Sequence, residues 1–274
     1  MSMASSSAPA TVQDRPDPPA HLALRDVTKT YKSRRGTVDA VAGASFQIAR
    51  GEFVSVVGPS GCGKSTLLTM VAGLVQASSG DIEIDGEPVD GAHPRLGVVF
   101  QRDALLEWRT VLRNVMLQSE VRGLNGDKHR ARAAELLRLA GLEGFDDRYP
   151  YELSGGMRQR VSICRALLHE PELLLMDEPF GALDALTRER MSADLLEIHQ
   201  SSGVSVLFIT HSIPEAVLLS DRVVVMTSRP GRIAEIIDID LPRPRTPALE
   251  SAPEFAGHVA HVRELFVREG VLTR

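Results

Sequence analysis

One segment, Gly58-Pro59-Ser60-Gly61-Cys62-Gly63-Lys64-Ser65-Thr66, constrains the fold of this chain more than any other. It stands between an apolar run at 53–57 and a helix-spaced stretch at 67–74, so G-x-x-x-x-G-K-[ST] occurs in the strand–loop–helix setting it requires. Its glycines let the backbone turn tightly enough for successive N–H groups to converge on one anion. The helix that follows aims its positive end at the same point. Lys64 adds a point charge suited to β- and γ-phosphates, and Ser65 offers a hydroxyl to Mg²⁺. The loop implies a bound nucleotide. By itself it leaves kinases, GTPases and ATPases open.

Apolar runs bounded by turn residues recur at 53–57, 96–100, 173–176, 206–210 and 222–226. Runs without polar alternation predict strands covered on both faces, hence an α/β core with a mostly parallel sheet and flanking helices. Residues 22–27 and 44–48 alternate and lead into glycine turns, which predicts a small antiparallel β subdomain. From about 102 to 170 helical spacing replaces the strands. Thr110 is placed to cap a helix carrying Val111, Val115 and Met116 on one side, and Asp127 a second running through Leu136, Leu137 and Ala140. An inserted α-helical subdomain is therefore expected within a core domain at 21–240.

Residues 1–20 are small, polar and proline-rich, which predicts a disordered tail, and they hold no apolar run of the secretory kind. Residues 241–274 form an extension: a turn-rich stretch after Pro242, then a last helix at about 255–269 that the core is not expected to require.

The 274 residues are enough for a substantial core. With 31 Lys+Arg against 36 Asp+Glu the net charge is −5, the wrong sign for a protein that coats nucleic acid. No stretch reaches the roughly eighteen uninterrupted apolar residues of a membrane span, so a membrane role would be peripheral. Cys62 and Cys164 are too few for a disulfide scaffold and lack metal-ligand spacing, which points to a reduced, cytosolic compartment.

Two further clusters carry chemistry. The run Leu173-Leu174-Leu175-Met176 ends in Asp177 and Glu178, and a buried strand ending there brings its acids to the sheet edge that holds the phosphate loop. Asp177 is then suited to the Mg²⁺ shell, and Glu178, pointing the other way, to polarising a water near the γ-phosphate. Leu153-Ser154-Gly155-Gly156-Met157 opens a helix, where a hydroxyl and bare N–H groups make a second anion site.

With these in order, the chain resembles the ATP-binding subunit of ABC transporters over about 22–240. The resemblance rests on the Walker A loop at 58–66, Gln101 after a strand and the LSGGM signature at 153–157. Walker B at 173–178, Gly181-Ala182-Leu183-Asp184, and Thr210-His211 after a further strand complete it. It implies that Tyr31 stacks on adenine. Gln101 is expected to reach Mg²⁺ and link the core to the helical insert, and His211 to contact the γ-phosphate. Asp184 is expected to shape a dimer contact. Two copies would sandwich ATP head to tail, each nucleotide lying between one chain's phosphate loop and the other's Ser154, Gly155 and Gly156. The implied partners are thus a second copy, integral membrane permease subunits and, indirectly, a solute-binding protein. The implied place is the cytoplasmic face of the cell membrane.

Residues 101–111, Ser228-Arg229-Pro230-Gly231-Arg232-Ile233 and Leu241-Pro242-Arg243-Pro244-Arg245 resemble importers of the nitrate, sulfonate and taurine type. Aliphatic sulfonates are the first expectation for the cargo, with nitrate, taurine or a pyrimidine precursor open. Glu107 replaces the proline usual in that group before tryptophan, a change at the surface expected to meet the permease. Trp108, the only tryptophan, reads either as an anchor on that surface or as packing inside the insert. A soluble ABC-type ATPase of translation or repair is the alternative, opposed by the single cassette, the missing coiled-coil insertions and the acidic balance. An exporter subunit is a further one, opposed by the importer-like segments.

Overall fold

The computed structural model describes residues 20–33, 36–124, 126–181 and 183–271. Residues 1–19 of the expected tail, and Ala182, lie outside them. In chain order the first elements are β1 (Ala20–Ser33), β2 (Gly36–Ala49), β3 (Phe53–Val57), α1 (Lys64–Val71), β4 (Ser79–Ile84), β5 (Glu87–Pro88) and β6 (Leu96–Val99). Helices α2 (Val111–Val115), α3 (Leu117–Val121), α4 (Asp127–Leu139) and α5 (Gly155–Leu167) follow. Then come β7 (Leu173–Asp177), α6 (Ala185–Ser202), β8 (Ser205–Thr210), α7 (Ile213–Leu219), β9 (Arg222–Met226), β10 (Ile233–Asp238) and α8 (Pro253–Arg268).

Every residue of β3, β7 and β8 is buried, as unalternating apolar runs require of strands covered on both faces. They sit in a sheet of order β10-β9-β3-β8-β7-β6. All neighbours in it are parallel except β10, which returns antiparallel on β9. Val57 pairs with both Thr210 and Val225, Asp177 with Ile209, and Val99 with Met176. The carboxyl ends of the strands therefore form one edge.

The second sheet, β2-β1-β4-β5, is antiparallel. β1 and β2 run well beyond the alternating stretches at 22–27 and 44–48, because register shifts between them absorb residues that break the alternation. Its inner face (Leu22, Leu24, Phe46, Ile48) packs with α1 on one side of the core sheet. The other side, through Phe53, Leu174 and Phe208, meets helices α2, α4, α5 and α6. Arg50 and Arg95 bind the two sheets at the opposite edge, reaching Asp85 (2.7 and 3.2 Å) and Glu172 (3.0 and 3.4 Å).

Thr110 caps α2, accepting from Arg113 N. Asp127 does not cap α4: Gly126 holds that position, and Asp127 is the first helical residue, where its charge suits the positive end of the helix. β6 stops at Val99, so Phe100 is not in the strand. The C-terminal stretch is also part of the packing, contrary to expectation. Ile239, Leu241, Phe255, Val262 and Phe266 share a buried cluster with Val57, α7 and β9.

Arg245 fastens this stretch. Its guanidinium, 4% exposed, donates to carbonyls at the end of α7 (Val217, Leu218, Ser220) and to Ile239 and Leu241. Helix-end carbonyls offer partial negative charge to a buried cation, while burial pushes its pKa down to about 10. Arg245→Met keeps the apolar stem and strands these acceptors. It is expected to cost about 2–4 kcal/mol in chemical denaturation. Arg243→Met, which breaks a partly exposed pair with Asp221, should cost about 1 kcal/mol or less.

Candidate functional site

The phosphate loop leaves β3 and enters α1 through Gly61 and Gly63, both at positive φ (77° and 105°). A Cβ on Gly63 would lie 2.5 Å from the Ala40 carbonyl, so β2 presses on the loop where only glycine fits. Cys62 turns its thiol into the core (1% exposed), leaving only its backbone to the cradle, and burial pushes the thiol pKa up. Gly58 is equally hemmed in: a Cβ there would meet the Cys62 sulfur at 2.8 Å. Lys64 is itself buried, and its ammonium donates to the carbonyls of Gly58 (2.8 Å) and Pro59 (3.1 Å).

Walker B meets the loop directly. Ser65 Oγ donates to Asp177 Oδ1 at 3.0 Å. Burial pushes the Asp177 carboxyl above its ordinary value, opposed by that hydrogen bond and by Lys64 and reinforced by the charge of Glu178. A buried carboxylate beside a serine hydroxyl is a hard-oxygen pair of the kind Mg²⁺ prefers.

Glu178 follows at φ 44°, a left-handed conformation that costs a non-glycine residue about 1 kcal/mol or more. Hydrogen bonds from Glu178 N to Ile209 O (2.8 Å) and from Gly181 N to Glu178 O (3.1 Å) hold it there. The turn swings its carboxylate between two neighbours. Gln101 Nε2 donates to Glu178 Oε2 at 3.2 Å, and His211 Nδ1 lies 3.3 Å from the same oxygen. Three residues from three separate strand ends thus meet at one atom. Such a carboxylate can accept a proton and orient a water.

Tyr31 and Val38 pair across β1 and β2 and stay exposed (42% and 40%), with Lys29 Nζ 5.2 Å from the tyrosine ring centre. Tyr31, Val38, Ser60, Gly61, Gly63, Lys64, Ser65, Thr66, Gln101, Glu178 and Arg229 line one cavity of about 360 Å³. Arg229 is the member that spacing from the loop did not reveal. It comes from the far end of β9, and only its place in a resembling segment singled it out.

Ser154, Gly155, Gly156 and Asp184 are not among the residues lining this cavity. Ser154 caps α5, accepting from Met157 N, and Asp184 caps α6, with bonds from Thr187 that hold its carboxyl below the ordinary range. A Cβ on Gly156 would lie 3.1 Å from Leu183, so the two helix starts are packed side by side. They form a second, outward-facing surface that lies apart from this chain's own cradle.

A buried parallel sheet with a phosphate loop at its carboxyl edge, and acids at the end of a strand one removed from the loop's own, defines a P-loop nucleotide hydrolase. A family profile described as ABC transporter matches residues 41–181. An uncharacterised ABC transporter ATP-binding protein of Methanocaldococcus jannaschii is 49% identical over 82% of this chain and 84% of its own. The chain belongs to the ABC transporter family, among its ATP-hydrolysing subunits. The taurine import ATP-binding protein of Rhizobium johnstonii is 48% identical over 82% of this chain and 88% of its own. The aliphatic sulfonates import ATP-binding protein of Bacillus cereus is 42% identical over 85% and 92%. Among solved structures, a dimeric ATP-binding cassette bound to ADP and Pi superposes with TM-score 0.73 at 33% identity, over 81% of this chain and 100% of that one.

Lys64→Ala removes the ammonium from the centre of the loop. ATP affinity in equilibrium titration is expected to fall about ten-fold or more. Folding stability should change by about 1 kcal/mol, since what is lost in the empty protein is two hydrogen bonds to carbonyls.

Proposed function

We propose that this chain is the ATP-hydrolysing subunit of an importer for a small sulfonate, taurine or an aliphatic sulfonate, working as a head-to-tail pair on the cytoplasmic face of a membrane. The meeting of Gln101 and His211 on the carboxylate of Glu178, which lines the cavity of the phosphate loop, carries the hydrolytic reading. The likeness to taurine and aliphatic sulfonate import proteins carries the cargo.

In this reading ATP enters with its adenine on Tyr31, and Lys64 exchanges the carbonyls of Gly58 and Pro59 for phosphate oxygens. The backbone N–H groups of Ser60, Gly61, Cys62, Gly63 and Thr66 wrap the phosphates. Asp177, the Ser65 hydroxyl and the Gln101 amide oxygen would hold Mg²⁺, which supplies charge neutralisation at the β- and γ-phosphates. Glu178 orients the attacking water and takes its proton, with His211 reaching the γ-phosphate from the neighbouring strand end. The outward helix start at Ser154, Gly155 and Gly156 closes on the γ-phosphate held by the other copy, and Asp184 lines that contact. One chain alone then has half a site on each side, and hydrolysis requires two.

None of the described helices is long and apolar enough to cross a membrane. In this reading the transported molecule passes through permease subunits that this chain drives. Trp108, 74% exposed on the segment between Gln101 and α2, is free to anchor such a partner rather than packing inside the helices.

Glu178→Gln keeps the shape of the carboxylate and removes its basicity. With ATP it should elute as a stable dimer while phosphate release falls about a hundred-fold or more. Cells whose own gene is deleted should regain growth on taurine or an aliphatic sulfonate as sole sulfur source with the wild-type chain and not with this variant. Restored growth with Glu178→Gln, or growth without either gene, defeats the proposal.

Trp108→Ala should retain ATP affinity and folding. Co-purification with the permease in detergent should fall about five-fold or more, the loss expected for an aromatic anchor. Undiminished co-purification removes Trp108 from that interface.

A further inference from the structure

The loop between β9 and β10 touches the phosphate loop from outside the motif. Gly231 N donates to Ala40 O (3.1 Å), Ala42 N donates to Gly231 O (2.9 Å), and a Cβ on Gly231 would lie 1.9 Å from Cys62 O. The turn is thus seated against β2 and the cradle with no room for a side chain at its contact point. From this turn Arg229 reaches across: its Nε and Nη2 both donate to Gly61 O, at 3.2 and 3.1 Å.

Two donors on one carbonyl fix the guanidinium in place without neutralising it. Among the described residues no carboxylate lies within ion-pair distance of Arg229, and its Nη1 has no protein partner. Arg229 and Lys64 are the two cations lining the cavity, against the one carboxylate of Glu178. An arginine that is exposed, preorganised and unpaired at the rim of a concave site has the chemistry of an anion contact. The anion that fits this cavity is a polyphosphate.

We propose that Arg229 is a further nucleotide-binding residue: it anchors Gly61 and directs its free charge at the phosphate chain of ATP. The inference rests on the cavity being the ATP site. Lys64 supplies the buried charge at the loop's centre. Arg229, carried on a different strand end, supplies a screened charge at its rim, so the two contacts are separable in experiment.

The test compares wild type, Arg229→Ala, Arg229→Lys and Lys64→Ala in the full chain. Titration with ATP is paired with competition by AMP, at low and at raised salt. Arg229→Ala should weaken ATP about five- to ten-fold and AMP about two-fold or less. Arg229→Lys, which keeps the charge and loses the fork, should stay within about three-fold of wild type. Raised salt should shrink the gap between Arg229→Ala and wild type, and the thermal midpoint of nucleotide-free Arg229→Ala should stay within about 3 °C of wild type, the small cost of its bonds to one exposed carbonyl. ATP affinity unchanged in Arg229→Ala, while Lys64→Ala loses it, overturns this inference alone. Equal losses for ATP and AMP with a thermal midpoint lowered beyond that range also overturn it, making Arg229 a strut for the loop. Wild type failing to bind ATP, or Lys64→Ala binding as well as wild type, overturns the reading of the cavity and this inference with it.

Discussion

The common register of β6, β7, β8, β3 and β9 is the constraint from which the site follows. Parallel strands end together only if each pairs at the right residue, and here Val57 stands level with Thr210 and Val225 while Asp177 stands level with Ile209. The residues that leave those ends, among them Gly58, Glu178 and His211, then share one edge although the chain separates them widely. A slip of one residue would exchange the two sets of side chains that each strand packs against the layers on either side of the sheet. The apolar burial that holds the sheet therefore also holds the chemistry.

The segment after Gln101 is tied to the signature helix. Arg158 Nε reaches Asp103 Oδ2 at 2.8 Å, and Arg165, buried in the last turn of α5, donates to the carbonyls of Asp103 (2.8 Å) and Ala104 (2.7 Å). Gln101 sits two residues before this clasp and touches Glu178 at its other side. A ligand that draws Gln101 away from Glu178 must carry the clasp, and with it α5, or break hydrogen bonds to a buried arginine. Helix shifts of this kind, stiff within and hinged at one end, transmit small displacements as discrete steps.

The parts of the fold legible in the sequence were those written in contiguous residues. The run at 53–57 became β3 with the same bounds, Thr110 and Ser154 became caps, and the acids after Met176 arrived at the phosphate loop. What was not legible depended on partners distant in the chain. The packing of α8 needs Val57 and β9 to be seen beside it, and the burial of Arg245 needs the end of α7. A proline- and arginine-rich stretch looks like an exposed extension until those carbonyls are in place. Asp127 carried the signal of a cap, but glycine one residue earlier took the extended conformation that the cap requires. Arg229 belongs to the same class, since nothing in its own neighbourhood announces Gly61.

Trp108 has one more consequence. As the chain's only tryptophan, 74% exposed and beside the clasped segment, it gives the protein one tryptophan emitter in a water-rich position, which long-wavelength excitation separates from the three tyrosines. Tyr31 lines the nucleotide cavity and Trp108 does not, so a change in tryptophan emission on adding nucleotide would originate outside that cavity. Native fluorescence, with no label attached, thus views the surface between Gln101 and α2. A blue shift there would register that surface being covered.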